Sequence, residues 1–205
     1  MTNPHARRLA LIAIVATVLA GTSACTDAGS SPAPAASVED EFTVTTLVID
    51  RVDTGPVLCL GAVFQSNPPG CSGVPIAGWD WDAVGIEESR RGTTWGGDYA
   101  VQGTWDGSTF TLTRPAEPAE DGSRPPGATS TTRPLQTPVP RTAEELDAIR
   151  IAVSAHPGVV MTGIETTPDR VLLTVAYDDG DLQASLDEEY GSGTVLVSSA
   201  LSPVS

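Results

Sequence analysis

The sequence contains no lysine and is short of positive charge altogether. Its 205 residues hold 11 arginines against 26 acidic residues, which gives a formal net charge of −15. Cationic side chains neutralise the phosphates of a bound nucleic acid, so DNA and RNA repel a chain this acidic. The lysine of a phosphate-binding glycine loop is missing as well. Nucleic acid is therefore excluded as an expected partner.

Histidine is almost as scarce, and the motifs of nucleophilic catalysis are missing. Only two histidines are present, and the downstream one, His156, directly precedes Pro157 at the end of a predicted helix. A histidine at that place usually complements the negative end of the helix dipole. The sequence has no Gly-x-Ser-x-Gly motif. We therefore predict no catalytic residue, no cofactor and no metal site.

Long apolar runs are missing too. The charge-free stretch Leu9–Ala20 has 12 residues, whereas a helix needs about 20 to cross a bilayer. It follows Arg7 and Arg8 and precedes the small residues Thr22–Ala24. A basic start, a short apolar centre and a small-residue end are typical of a signal peptide, here residues 1–24. The general secretory route and the twin-arginine route both remain open.

A single cysteine, Cys25, follows this segment. The residues Thr22-Ser23-Ala24-Cys25 resemble the lipobox of bacterial lipoproteins. The resemblance implies that the Cys25 sulfur carries a diacylglyceryl group, which attaches the chain to the outer face of the cell membrane. Two acyl chains suffice for stable anchoring, even though an anionic bilayer repels the acidic body. The alternative is ordinary cleavage after Ala24, which would yield a secreted soluble protein.

The two remaining cysteines, Cys59 and Cys71, lie close together in the sequence. Outside the cytoplasm such a pair usually forms a disulfide. The bridge would close a loop of about 13 residues and contribute roughly 3 kcal/mol in the chain-entropy model. The alternatives are free thiols or a metal site, and a metal site would need more histidine than the downstream chain supplies. We therefore predict a disulfide.

Composition divides the rest of the chain into four segments. Residues 25–41 are rich in Ser, Ala and Pro and are typical of a flexible, here lipidated, tether. Residues 42–114 contain short β-branched runs between Gly-bearing turns, which predicts a small all-β domain, barrel- or sandwich-like. The proline-rich residues 115–140 predict a linker. Residues 141–203 predict a small α+β domain of order α-β-β-α-β, so the fold class is mixed.

The clearest β element is the hairpin "DYAVQGTWDGSTFTLT". Asp106-Gly107 favours a two-residue turn, which would pair Trp105 with Ser108 and Gly103 with Phe110. The apolar side chains then share one face of the hairpin. They are Tyr99, Val101, Trp105, Phe110 and Leu112.

The clearest helix begins after the predicted linker. Thr142 and Glu145 have the spacing of a capping box. Leu146, Ile149 and Val153 follow at helical spacing, so they predict the buried face of this helix.

All four tryptophans fall in the predicted β domain. Exposed tryptophans stack on sugar rings or anchor partner peptides, although in a small domain they more often fill the core. We take Trp79, Trp81 and Trp95 as the possible ligand-binding residues. If "GWDWDAV" is extended, Asp80 and Asp82 share a strand face, and a pair of carboxylates is what a glycosidase requires.

A second acidic group surrounds the last predicted helix: Asp178, Asp179, Asp181 and Glu188. Oxygen-rich clusters can bind calcium. The spacing of an EF-hand is absent, however, and acids before a helix usually cap it and complement its dipole. We therefore predict that these side chains cap the helix.

The chain resembles uncharacterised exported lipoproteins of actinobacteria. The resemblance lies in Cys25, in the use of arginine as the only basic residue, and in three segments: "CLGAVFQSNPPGCSG", "GWDWDAV" and "YAVQGTWDG". The resemblance implies a cell-envelope location and transfers no catalytic residue. We expect a lipid-anchored binding or interaction module, with the membrane and an unknown envelope protein or glycan as partners. The alternatives are a carboxylate-dependent enzyme acting on an envelope glycan, a secreted soluble protein and a structural spacer.

Overall fold

The structure is a computed structural model, and it describes residues 40–119 and 137–204. The predicted signal peptide, Cys25 and most of the predicted tether lie outside these residues, as do residues 120–136 of the predicted linker. Within the two described stretches, no helix is long and apolar enough to cross a membrane. All the described residues belong to one compact unit.

The first described stretch consists of short strands and one helical turn. Its elements in chain order are β1 (Glu41–Arg51), β2 (Gly55–Leu58), β3 (Val63–Phe64), β4 (Gly70–Cys71), β5 (Val74–Ala77), α1 (Trp81–Val84), β6 (Glu88–Arg90), β7 (Thr93–Trp105), β8 (Phe110–Leu112) and β9 (Glu117–Pro118).

Five of these strands close into a barrel. They lie in the order β1-β2-β5-β8-β7, and β7 pairs back with β1. β5 and β8 run parallel, whereas the other neighbours in the ring run antiparallel. A five-stranded barrel of this kind corresponds to the OB-type architecture. The predicted barrel-like β architecture is confirmed.

A β-bulge in β1 lets this strand contribute to two cores. The register of β1 against β7 shifts between Leu47 and Ile49. An extra residue in one strand allows two consecutive side chains to turn inward, and Val48 and Ile49 are both fully buried. Val48 joins the main barrel core, whereas Ile49 packs with Cys59 and Trp95 in a second cluster.

The predicted register of the β7–β8 hairpin is wrong by two residues. Trp105 pairs with Phe110, and not with Ser108. The connecting loop is longer than two residues because the Asp106 carboxylate accepts hydrogen bonds from the backbone N–H groups of Ser108 and Thr109, at 2.8 and 2.7 Å. Side chains alternate with a period of two, so an even shift leaves the faces unchanged. Accordingly, Phe110 is fully buried in the barrel core, as its predicted face requires.

β9 lies inside the segment predicted as a linker. It pairs with β7, where Tyr99 lies opposite Pro118. The N–H of Ala119 donates to the carbonyl oxygen of Asp98 at 2.9 Å. Proline is tolerated in a short outer strand because its missing N–H costs no ladder bond there.

The second described stretch contains two longer helices and four strands. They are α2 (Ala143–Val153), β10 (Val159–Thr166), β11 (Asp169–Val175), α3 (Asp181–Tyr190), β12 (Val195–Ser199) and β13 (Ser202–Pro203).

A three-stranded sheet in the order β10-β11-β12 forms the base of this second part. β10 and β11 are antiparallel, and β11 and β12 are parallel. α2 and α3 pack onto it, and their apolar side chains share one core with β11 and β12. The predicted order α-β-β-α-β is confirmed, and β13 is an addition to it.

The capping box of α2 forms as predicted. The Thr142 hydroxyl oxygen accepts the backbone N–H of Glu145 at 3.2 Å, and the Glu145 carboxylate accepts the N–H of Thr142 at 2.7 Å. The latter bond lowers the pKa of Glu145. Leu146, Ile149 and Val153 are buried against the sheet, as their spacing predicts. Complete burial of side chains of this size contributes about 1.5–3 kcal/mol each.

The end of the chain returns to the barrel. β13 pairs with β1, where Pro203 lies opposite Phe42. The ring of Phe42 packs against Tyr177, with centroids 4.5 Å apart. Val160 and Leu201 are buried in the same cluster as the barrel residues. Residues of both predicted domains therefore share one hydrophobic core.

The predicted disulfide between Cys59 and Cys71 is present. It joins the end of β2 to β4, and the loop that it closes contains the small β3–β4 hairpin. Cys59 is almost completely buried, and its backbone carbonyl accepts a hydrogen bond from the hydroxyl of Thr46 in β1. The bridge therefore fixes this loop onto the barrel wall.

Candidate ligand-binding site

Three aromatic side chains form a cluster beside α1. The ring of Trp79 lies 5.2 Å from that of Trp81 and 5.0 Å from that of Tyr99, in both cases edge to face. This geometry suits the ring quadrupoles and contributes about 0.5–1.5 kcal/mol per pair beyond burial. The indole N–H of Trp79 is buried and has no hydrogen-bond partner within the described residues. Two of the three tryptophans expected in a ligand site thus lie together.

Hydrogen bonds fix the two rings that support Trp79. Trp81 Nε1 donates to the Asp50 carboxylate of β1 at 3.0 Å. The Tyr99 hydroxyl donates to the carbonyl oxygen of Gly85 at 2.9 Å. Burial raises the pKa of the Tyr99 hydroxyl above its ordinary value. Trp79 therefore packs on a rigid aromatic support.

The segment "GWDWDAV" is not extended, which corrects the expectation that Asp80 and Asp82 share a strand face. Asp80 is the N-cap of α1, and its Oδ1 accepts the backbone N–H of Asp82 at 3.0 Å. Gly85 ends the helix at a φ of +88°, a conformation that favours glycine. Aspartate is among the best N-cap residues. This local preference prevails over the alternation of Trp and Asp.

A cleft of about 320 Å³ opens between α1 and the chain that follows β8. Its volume is near the lower end of the range of ligand pockets, about 300–1,000 Å³. The apolar side of the cleft includes Trp79, Val84 and Leu112, and the exposed polar side chains at its rim are Asp80, Thr113 and Arg114.

Parallel pairing explains why these two segments meet. β5 and β8 run in the same direction, with Ala77 opposite Thr111. The chain therefore leaves both strands at the same end of the barrel. Trp79 follows β5 and Arg114 follows β8, so both arrive at the same cleft.

Glu41 holds the β8 side of the cleft in place. Its carboxylate accepts hydrogen bonds from the Thr113 hydroxyl and from the side-chain amide of Gln102 in β7. These bonds, that of Thr113 first, lower the pKa of Glu41. The backbone N–H of Thr113 also donates to the Gln102 carbonyl at 3.1 Å. Arg114 therefore directly follows a residue, Thr113, whose side chain and backbone are both held by hydrogen bonds.

Trp95, the third tryptophan expected in a ligand site, lies elsewhere in the fold. It is 7% exposed and packs with Ile49 and Cys59, next to the disulfide. It does not line the cleft. Trp79 lines the cleft, Trp81 supports Trp79, and Trp95 fills a core.

The acidic residues before α3 accept hydrogen bonds from its backbone. Asp178 Oδ1 accepts the N–H groups of Gly180 and Leu182 at 3.1 and 3.0 Å. Asp179 accepts the N–H of Asp181 at 3.1 Å. Over residues 40–119 and 137–204, no group of three or more His, Cys, Asp or Glu side chains is placed to hold a metal ion. Asp178 and Asp179 thus bind backbone N–H groups at the start of α3, whose N-cap is Gly180, whereas Asp181 and Glu188 lie within the helix and are not caps.

Sequence reasoning missed the places of Tyr99 and Arg114. Tyr99 carried a signal, because it lies on the apolar face of the predicted hairpin next to a tryptophan-rich segment. No signal in the sequence pointed to Arg114. It lines the same cleft as Trp79 because β5 and β8 pair in parallel, and the paired residues are 34 positions apart in the sequence.

No protein-family model, no curated protein and no solved structure matches this chain. Its function therefore has to be inferred from its own residues.

Proposed function

We propose that this protein is a lipid-anchored binding protein on the outer face of the cell membrane. Cys25 carries the lipid, the tether after it holds the folded body, and the cleft beside Trp79 receives a ligand of the cell envelope. The observation that carries the binding role is the cleft itself. Trp79, supported by Trp81 and Tyr99, lines one small concave site together with a carboxylate, a hydroxyl and a guanidinium, and ligand pockets usually combine apolar walls with a few polar groups.

The disulfide supports the proposed location. Disulfides persist in oxidising compartments and are rare where glutathione keeps thiols reduced. Cys59 and Cys71 are bonded to each other, which leaves Cys25 as the one cysteine outside the bridge. A lone cysteine directly after a signal peptide is the residue that lipidation uses.

The alternative of a carboxylate-dependent enzyme has less support. Glycosidases place two carboxyl groups on either side of the bond that they cleave. Among the described residues, Asp80 is the one carboxylate that lines the cleft. Asp82 lies in α1 outside the lining, and the Asp50 carboxylate accepts the Trp81 hydrogen bond.

Intact mass spectrometry and membrane fractionation test the proposal directly. The protein is expressed from its full reading frame in its native host, next to a Cys25→Ser variant. We expect the wild-type protein to begin at Cys25, to carry a diacylglyceryl unit and to lie in the membrane fraction. We expect the variant to lack the lipid and to be absent from the membrane fraction. An unmodified Cys25 on a protein found in the culture medium would contradict the lipid anchor.

A further inference from the structure

The cleft beside Trp79 has an apolar wall that suits the apolar face of a ring-shaped ligand. Trp79 cannot swing away easily, because Trp81 and Tyr99 contact its ring and are themselves held by hydrogen bonds to Asp50 and Gly85. A wall that is ordered before binding costs little conformational entropy when a ligand arrives. The C–H face of a sugar ring is the natural partner of such an indole, because it is apolar while its edge is polar.

The rim of the cleft contains side chains that can form hydrogen bonds with the hydroxyl groups of a ligand. Asp80 accepts hydrogen bonds and Arg114 donates them, while the Thr113 hydroxyl, which gives its proton to Glu41, can accept. Asp80 uses Oδ1 for the cap of α1, and a carboxylate has a second oxygen to offer. Neighbouring hydroxyls of a sugar each donate and accept, so they match a rim with one acceptor and one donor. An aliphatic ligand would leave these exposed polar groups without any role.

The charge of the protein further restricts the class of ligand. The whole chain carries a net charge of −15, which disfavours phosphorylated or otherwise anionic ligands. The rim itself carries one acidic and one basic side chain, and the Glu41 carboxylate lies behind Thr113. A neutral ligand meets no repulsion from this surface, and the volume of about 320 Å³ requires that the part inserted be small.

We propose that this cleft binds one neutral sugar ring of an envelope glycan, with the ring against Trp79 and its hydroxyls bonded to Asp80 and Arg114. The proposal rests on the proposed function, because it names the ligand class of the same cleft. Its test is independent of the lipid anchor, since the binding measurement needs only the folded protein.

The experiment is a ligand-observed NMR titration of the purified protein, expressed from its full reading frame. The probes are chitotriose, maltotriose and mannotriose at millimolar concentration. We expect at least one of them to bind. Trp79→Phe keeps an aromatic ring against Trp81 and Tyr99 but loses part of the wall, and it should weaken binding about tenfold.

Matched variants separate the cleft from the rest of the protein. Trp95→Phe makes the same substitution in the cluster beside the disulfide and should leave the dissociation constant unchanged. Arg114→Gln should weaken binding at least fivefold, whereas Arg90→Gln on β6 should not. Asp80→Asn should weaken binding while retaining an N-cap residue, since asparagine caps helices as well as aspartate does. Thermal unfolding of each variant shows that it is folded.

Three results would overturn the proposal. The first is that none of the three sugars binds. The second is that a sugar binds with equal affinity to the Trp79→Phe and Trp95→Phe variants, because its site is then elsewhere. The third is that a synthetic proline-rich peptide binds at Trp79 while the sugars do not, since aromatic grooves also bind such peptides. In that third case the binding role in the proposed function survives with a different ligand.

Discussion

Gly61 and Val160 touch where the barrel meets the three-stranded sheet. A Cβ atom on Gly61 would lie 2.5 Å from the carbonyl oxygen of Val160. Gly61 also donates its N–H to the carbonyl of Ser72 at 2.9 Å, which ties it to the disulfide-closed loop. Val160 is the second residue of β10 and is buried with the barrel core. Glycine is needed at position 61 because only a residue without a side chain permits this approach.

Gly61→Ala should therefore destabilise the fold. Overpacking of this kind costs about 1–3 kcal/mol in the free energy of unfolding, which urea denaturation measures. Gly97→Ala is the control, because a Cβ there meets no atom within 4 Å. It should change the free energy of unfolding by less than about 0.5 kcal/mol. Equal effects of the two variants would contradict the contact.

The two parts of the chain should unfold together. All four tryptophans lie in the first described stretch, and the longer helices α2 and α3 lie in the second. Tryptophan fluorescence and far-UV circular dichroism therefore report on different parts. Because both parts share one core, we expect their urea midpoints to coincide. Separate midpoints would show two independently stable domains.

Leu201 tests the same junction by mutation. It is fully buried among barrel residues, so Leu201→Ala should cost about 2–5 kcal/mol. Both spectroscopic midpoints should fall by the same amount. Val204→Ala, at a position that is 42% exposed, should leave both midpoints in place. A Leu201→Ala protein in which only the helical signal shifts would argue against a shared core.

Glu41 should make part of the stability dependent on pH. Hydrogen bonds from Thr113 and Gln102 hold its pKa in the folded state below the ordinary glutamate value of about 4.3. The resulting stabilisation is complete above about pH 4.3 and is lost as the pH falls through the lower folded-state pKa. Glu41→Gln should thus lower the Tm at pH 7, and the difference from wild type should shrink between about pH 5 and pH 3.

The control for Glu41→Gln is Glu88→Gln, at an exposed position of β6. Its Tm at pH 7 should stay close to that of the wild type. A Tm difference for Glu41→Gln that is the same at pH 7 and pH 3 would mean that packing, and not the charge, is responsible.

Reduction of the Cys59–Cys71 bridge should lower the Tm of the whole protein. The closed loop predicts a loss of about 3 kcal/mol, which corresponds to roughly 6–12 °C at about 2–4 °C per kcal/mol for a protein of this size. The measurement compares the Cys25→Ser protein with and without reductant. The triple variant Cys25→Ser, Cys59→Ser, Cys71→Ser is the control and should not respond to reductant. An unchanged Tm after complete reduction would contradict a stabilising bridge.

Local signals in the sequence accounted for the elements whose causes are themselves local. The Thr142–Glu145 capping box and the spacing of Leu146, Ile149 and Val153 predict α2 correctly, because caps and helical periodicity act within a few residues. The alternation around Val101 and Phe110 predicts which hairpin face is buried. The pairing of Cys59 with Cys71 follows from cysteine scarcity and short separation.

Other features depended on contacts between distant residues, so only the tertiary structure decided them. The barrel closes because β1 pairs with β7 about 50 positions further along the chain, a choice that global packing makes. The hairpin register and the Asp80 cap are different, because their causes are local: the carboxylates of Asp106 and Asp80 accept backbone N–H groups two or three residues further on. The alternation of side chains does not reveal such hydrogen bonds.

The sequence by itself was enough to predict the α-β-β-α-β order of the second part, the buried faces of α2 and of the β7–β8 hairpin, and the Cys59–Cys71 bridge; export and lipidation at Cys25 stay predictions. Periodicity and charge act over short distances or as averages, and both can be read from one chain. Which residues line the cleft was decided by the tertiary structure alone. Trp79 and Arg114 line the same cleft because two strands run parallel, whereas Trp95 pairs with Ile49 and packs in a second core.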